Sequence, residues 1–89
     1  MISSKLEDFL STYCNADEDP AETAELMRGE LGAYERPWLL PELDAVIAGR
    51  VTLSPDLAGH LTSRRFDSPQ DVIDWLVALR TSWYGAATA

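Results

Sequence analysis

The feature that most constrains this chain is a helix-start signal that recurs along it: an oxygen-bearing residue followed at once by proline, as Ser68-Pro69, Ser54-Pro55 and Asp19-Pro20. A Ser or Asp at the N-cap accepts from a free backbone N–H of the first turn. Proline is tolerated just after it, because the N–H it lacks has no helical partner there. The signal is fullest in residues 66–80. Asp71 stands three residues after Ser68, completes a Ser-x-x-Asp start and sits beside the positive end of the helix dipole. Val72, Leu76, Leu79 and Trp83 follow at helical spacing, with Ile73 and Trp75 widening the stripe. Such a helix is amphipathic and needs other helices to cover it.

The same reading extends along the chain. A first helix is expected from Ser3 or Ser4, with Ser4 to Glu7 as a capping box and Leu6, Phe9, Leu10 and Tyr13 on one apolar face. Residues 15–19 break the pattern as a polar loop. A second helix starts at the Asp19 cap and presents a thin apolar face of Ala24, Met27 and Leu31, with Leu26 beside it. Gly29 would sit inside this helix at a cost of about 1 kcal/mol relative to alanine, and Gly32 would stop it. It is expected to be an edge element. Residues 33–37 read as a connection. A third helix becomes regular near Leu40, because Pro41 suits only a first turn. Leu40, Leu43, Val46 and Ile47 would face the core, and Gly49 would end the helix. A short fourth helix runs from Ser54 to near Arg64 on the anchors Leu57 and Leu61. No strand-length stretch alternates at period two. The expectation is an all-α fold, a single small bundle of four to five helices, with residues 1–84 as one domain and 85–89 as a frayed tail.

Composition narrows the function classes. Fifteen acidic residues against seven basic ones give a net charge of −8. A phosphate backbone would be repelled, which argues against direct nucleic-acid binding, whereas a cationic partner would be attracted. The lone Cys14 permits no internal disulfide and suits a reducing compartment. No apolar run approaches a membrane span, and residues 1–8 show no secretory signal pattern. A cytoplasmic protein without membrane contact is expected.

Catalytic chemistry finds little to work with. His60 is the only histidine and reads as a helix-surface residue, so no metal ligand set suggests itself. Cys14 ends an apolar helix face without a nearby base to lower its pKa, and reads as a buried structural thiol. Acids are plentiful, but no pair stands out, and no glycine-rich phosphate loop is present. The expectation is a chain that is no enzyme and needs no cofactor or metal.

The charge is one-sided. Residues 1–44 hold eleven acids and three bases, whereas residues 45–89 hold four of each. Between residues 17 and 35, seven acids stand against Arg28 alone. Glu18, Glu22 and Glu25 follow the spacing of one helix face, where like charges repel by a few tenths of a kcal/mol per pair. One reading is a solvated face that keeps the chain soluble; the other is a docking surface for a basic protein. On the second reading the binding residues are Asp17, Glu18, Asp19, Glu22, Glu25, Glu30 and Glu35, with the flanking aromatics Tyr34 and Trp38 as anchors.

Several stretches together resemble the small immunity proteins of bacterial contact-dependent growth inhibition systems. They are Leu6, Phe9, Tyr13 and Asp17 at their spacing, the Leu43, Val46 and Ile47 helix, the Leu53-Ser54, Leu57 and Leu61 helix, and the closing Asp71-Val-Ile-Asp-Trp75-Leu76. The resemblance covers most of the chain and rests mainly on fold-determining positions. It implies a cytoplasmic inhibitor, monomeric when free, that binds a cognate toxin domain from a neighbouring cell. Many such toxins are nucleases with basic surfaces, which an acidic inhibitor would complement. Two rivals stand beside it. An acidic interaction module or regulator unrelated to toxins would use the same face. An acyl-carrier protein would need an Asp-Ser-Leu-type serine near mid-chain, but the only Asp-Ser is Asp67-Ser68, late in the chain and followed by Pro69.

Overall fold

The computed structural model describes residues 2–85. They form five α-helices and no strand: α1 (Ser4–Tyr13), α2 (Pro20–Arg28), α3 (Glu30–Ile47), α4 (Pro55–Thr62) and α5 (Pro69–Tyr84). The all-α bundle expected from the sequence is therefore present. The expected tail beyond Gly85 lies outside the described residues.

The three cap–proline signals each start a helix. Asp19 Oδ1 accepts from the Ala21 amide at 2.9 Å, Ser54 Oγ from Leu57 at 3.1 Å and Ser68 Oγ from Asp71 at 3.2 Å. The Asp71 carboxylate reaches back to the Asp67 amide at 3.1 Å, one residue before the position a capping box would use. At α1 the cap is Ser3, whose Oγ accepts from the Leu6 amide at 3.1 Å, so the Ser4–Glu7 box does not form. The Ser3 hydroxyl also donates to Glu42 on α3.

The largest departure from expectation is at the two glycines. Gly29 does not sit inside α2 but breaks it, with φ −101° and ψ −145°. Gly32 does not stop a helix; it lies buried within α3. The cause is a close approach of backbone to backbone. A Cβ on Gly32 would fall 1.6 Å from the Met27 carbonyl oxygen, so only glycine lets α3 begin against the end of α2. Residues 33–37 are consequently helix and not a connection, and α3 starts ten residues before Leu40.

Helix α3 accommodates Pro37 and Pro41 in its interior, although each costs about 3 kcal/mol in an ordinary helix. Both rings are on the exposed side, where the carbonyls of Ala33 and Pro37 that lose their helical donors can turn to water. The opposite side carries Leu39, Leu43 and Val46, all buried. Burying a large aliphatic side chain contributes about 1.5–3 kcal/mol, so the inner face offsets what the prolines cost. Leu39 takes the buried position expected for Leu40, and Leu40 and Ile47 are half-buried.

Helix α4 is shifted in the same way. Ala58 and Thr62 are buried, while the expected anchors Leu57 and Leu61 are half-buried. Small residues at the contact let α4 approach its neighbours closely, and the Thr62 hydroxyl donates to the Ala58 carbonyl at 2.7 Å. The helix ends at Thr62 and not near Arg64, because Ser63 turns left-handed with φ 57°.

Helix α5 packs on α2, α3 and α4, and α1 packs on α4. Val72, Leu76 and Trp83 of α5 are buried, and Leu79 is half-buried. Phe9 is the hub of an aromatic cluster, with ring centroids of Tyr13, Trp38 and Trp83 at 4.8, 5.7 and 5.9 Å. Arg80 joins α5 to Asp44 of α3 and donates to the Gly85 carbonyl at 2.7 Å. Helix α2 is not a loosely held edge. It buries Thr23, Ala24 and Met27 and packs on both α3 and α5.

Candidate functional site

The acidic stretch folds into the corner where α1, α2 and α3 follow one another. Asp17, Glu18 and Asp19 occupy the α1–α2 turn, Glu22 and Glu25 lie along α2, and Glu30 opens α3; all six are exposed. The turn is held by backbone and local side-chain bonds. Asn15 Oδ1 accepts from the Asp17 amide at 3.0 Å, the Asn15 carbonyl accepts from Glu18 at 2.9 Å, and the Ala16 amide donates to the Thr62 carbonyl at 2.7 Å. Thr23 donates from its hydroxyl to the Tyr13 carbonyl at 3.1 Å, which fixes the start of α2 on the end of α1. Asp19 and Glu22 both sit at the N-terminal end of α2, where the helix dipole favours negative charge. The corner is therefore charged and also ordered.

Its charges are not neutralised from within. Arg28, the one base between residues 17 and 35, turns to α5, where its Nε donates to the Ser82 carbonyl at 2.8 Å and a terminal nitrogen to Ser82 Oγ at 3.1 Å. Among the described residues the ion pairs are Arg65–Asp67 and Arg80–Asp44, and neither involves the corner.

The nine residues singled out from the sequence fall into two groups. Asp17, Glu18, Asp19, Glu22, Glu25 and Glu30 share the corner, and Tyr34, 79% exposed, follows Glu30 by one turn of α3. Glu35 and Trp38, further along α3, differ from these in being half-buried. The Trp38 indole N–H donates to the Glu35 carboxylate, its ring meets Phe9 of α1 edge-on, and Lys5 Nζ lies 4.6 Å from its centroid. Trp38 is half-buried in the aromatic cluster, so it serves the packing of α1 on α3 as well as offering an edge to solvent.

By sequence Leu26 lies beside the apolar face of α2. It is 52% exposed and lines a shallow open depression with Glu22 and Glu25, because Met27 takes the inward position. The helical spacing of Ala24 and Met27 puts Met27, and not Leu26, on the inward face, as the structure has it.

Groups with reactive potential lie elsewhere and are quiet. Burial pushes the Cys14 thiol from 9.0 up to about 12, against the smaller opposing effect of the Arg64 guanidinium. A thiol so raised is not a nucleophile at neutral pH. His60 is exposed on α4. Among the described residues, no three His, Cys, Asp or Glu side chains come together to hold a metal ion. None of their helices is long and apolar enough to cross a membrane. Ser68, the serine a carrier protein would load, has its oxygen engaged as the α5 cap. No protein-family model, curated protein or solved structure gives a significant match to this chain. The arrangement that remains is a firm, one-sided anionic corner with an apolar side chain set among its carboxylates, which is suited to holding a cationic protein surface.

Proposed function

We propose that this chain is a cytoplasmic immunity protein that binds a basic toxin domain in contact-dependent growth inhibition and neutralises it stoichiometrically, without catalysis. The observation that supports the reading is the corner itself: six exposed carboxylates on an ordered scaffold, with Arg28, the one base between residues 17 and 35, committed to α5. Carboxylates held apart from cations repel one another and raise the energy of the free protein. A basic partner relieves that repulsion, and the field steers its approach over about one Debye length, ~8 Å at physiological salt. Leu26 supplies an apolar contact inside the charged rim, the usual anatomy of a protein interface. A toxin that holds phosphates must carry such a basic surface, and an anionic inhibitor competes for it on the same terms.

The test is a titration against the toxin domain encoded beside this gene, in low and high salt. The double charge reversal Glu22→Lys with Glu25→Lys should weaken binding by about 10–100-fold, chiefly through the association rate, and flatten its salt dependence. Unchanged affinity and salt dependence would remove the corner from the interface, and absence of any toxin binding would remove the function.

A further inference from the structure

A second surface of different character runs along α3. Ala33, Arg36, Pro37, Leu40, Pro41, Asp44 and Arg50 line an open groove of about 590 Å³. The two prolines break the local rule for a helix, and they do so on the exposed side, where the packing of the bundle does not require them. Places where a sequence departs from local preference without benefit to the core are where function is to be sought.

The prolines leave a definite chemical mark. They lack N–H groups, so the carbonyls of Ala33 and Pro37 lose the donors a regular helix would give them. Four residues of helix separate these two acceptors by about 6 Å along the axis. Alternate N–H groups on one edge of an extended chain repeat at about 6.6–6.8 Å, so one extended segment can reach both. The charge of the groove points to what else that segment carries. Asp44 is already paired with Arg80, whereas Arg36 and Arg50 are exposed and pair with no carboxylate among the described residues. On a chain of net charge −8, this groove is locally cationic. Arg36 is also held in place, its guanidinium 5.5 Å from the centroid of Tyr84.

We infer that the α3 groove docks an extended, carboxylate-bearing segment of a partner protein, with Arg36 and Arg50 on its acids, the Ala33 and Pro37 carbonyls on its amides, and Pro37, Leu40 and Pro41 under its apolar side chains. The site is independent of the acidic corner and does not rest on the toxin reading. Its opposite charge makes the two surfaces separable by experiment.

The probe is an end-capped octapeptide of alternating Asp and Leu, titrated into the full ¹⁵N-labelled chain and followed by amide shifts, with an Asn-Leu peptide of the same length as control. Saturable shifts are expected at Ala33, Arg36, Leu40, Asp44 and Arg50 with the Asp-Leu peptide. Affinity should fall about tenfold when both guanidinium groups are removed in the Arg36→Gln, Arg50→Gln double variant, the scale of two exposed ion pairs. The dispersed spectrum of that variant reports that it is folded. No saturable shift, shifts centred on another face, equal binding of the Asn-Leu peptide, or undiminished affinity of the folded double variant would each overturn the assignment.

Discussion

Replacing Gly32 by alanine tests the central packing claim. In an ordinary helix the change is favourable, by up to about 1 kcal/mol. Here the added Cβ would lie 1.6 Å from the Met27 carbonyl oxygen and 2.5 Å from its carbonyl carbon. Both are backbone atoms and cannot rotate away. Bringing the first distance to 3.0 Å, below which real Cβ contacts essentially do not occur, requires the end of α2 to retreat by about 1.4 Å (3.0 less 1.6). A gap of that size removes much of the dispersion contact Met27 makes in the core. It also disturbs the 2.9 Å bond from the Tyr84 hydroxyl to the Gly32 carbonyl, a bond of about 1 kcal/mol. Overpacking of this kind costs about 1–3 kcal/mol or more. With the lost bond added and the helix-propensity gain set against it, the net loss should be about 1–3 kcal/mol, or a fall of ~5–20 °C in Tm for a domain of this size. Urea unfolding followed by tryptophan fluorescence and far-UV circular dichroism measures it. Gly29→Ala is the control, since a Cβ there meets only ordinary contacts at 3.6 Å, and its stability should stay within about 0.5 kcal/mol. If Gly32→Ala matches or exceeds the parent in stability, the close approach of α3 to Met27 is refuted.

Two further predictions concern the core and a cap. Because burial raises the Cys14 thiol from 9.0 to about 12, the unfolded chain releases this proton first. The stability that the neutral thiol contributes is whole below pH 9 and is lost as pH rises toward 12, by about 1.4 kcal/mol per pH unit in that window. Urea midpoints from pH 8 to 11 should show a slope that Cys14→Ala reduces, and identical slopes would refute it. Ser68→Ala removes the side-chain acceptor of the Asp71 amide, leaving it the Ser68 carbonyl at 3.1 Å, and should cost about 1 kcal/mol in thermal or urea unfolding; no loss would mean that the side-chain cap carries no stability.

What the sequence revealed follows from how far each determinant reaches along the chain. The starts of α2, α4 and α5 depend on residues within one turn of the cap, so Asp19, Ser54 and Ser68 could be read directly. The roles of Gly29 and Gly32 depend on how closely α3 approaches α2, which no local pattern records. The prolines of α3 misled for the same reason: their cost is local, and its compensation by Leu39, Leu43 and Val46 comes from the assembled bundle. Phase errors of one residue, Leu40 for Leu39 and Leu57 for Ala58, arise where adjacent residues are both apolar and only the neighbouring helix chooses between them. The acidic corner was legible because charge accumulates within a short segment. The half-burial of Trp38 was not, because it depends on the Phe9 and Lys5 contacts with α1. Nor was the α3 groove, because Arg36 lies in a stretch that reads from sequence as a connection, and Arg50 meets it only from beyond the end of the helix.

The way α5 closes the bundle bears on how the protein becomes ready during its own synthesis. Helices α1 to α4 leave the ribosome before α5, yet α2, α3 and α4 all pack against it. The Arg28 side chain finds its partner only when Ser82 has emerged, and Gly32 gains the Tyr84 hydroxyl later still. Without α5, α2, α3 and α4 lack a shared cover and Arg28 lacks its Ser82 partner. Docking of α5 therefore also holds Arg28 away from the acids around it, which couples the charge of the α2 surface to the packing of a helix more than fifty residues further along the chain.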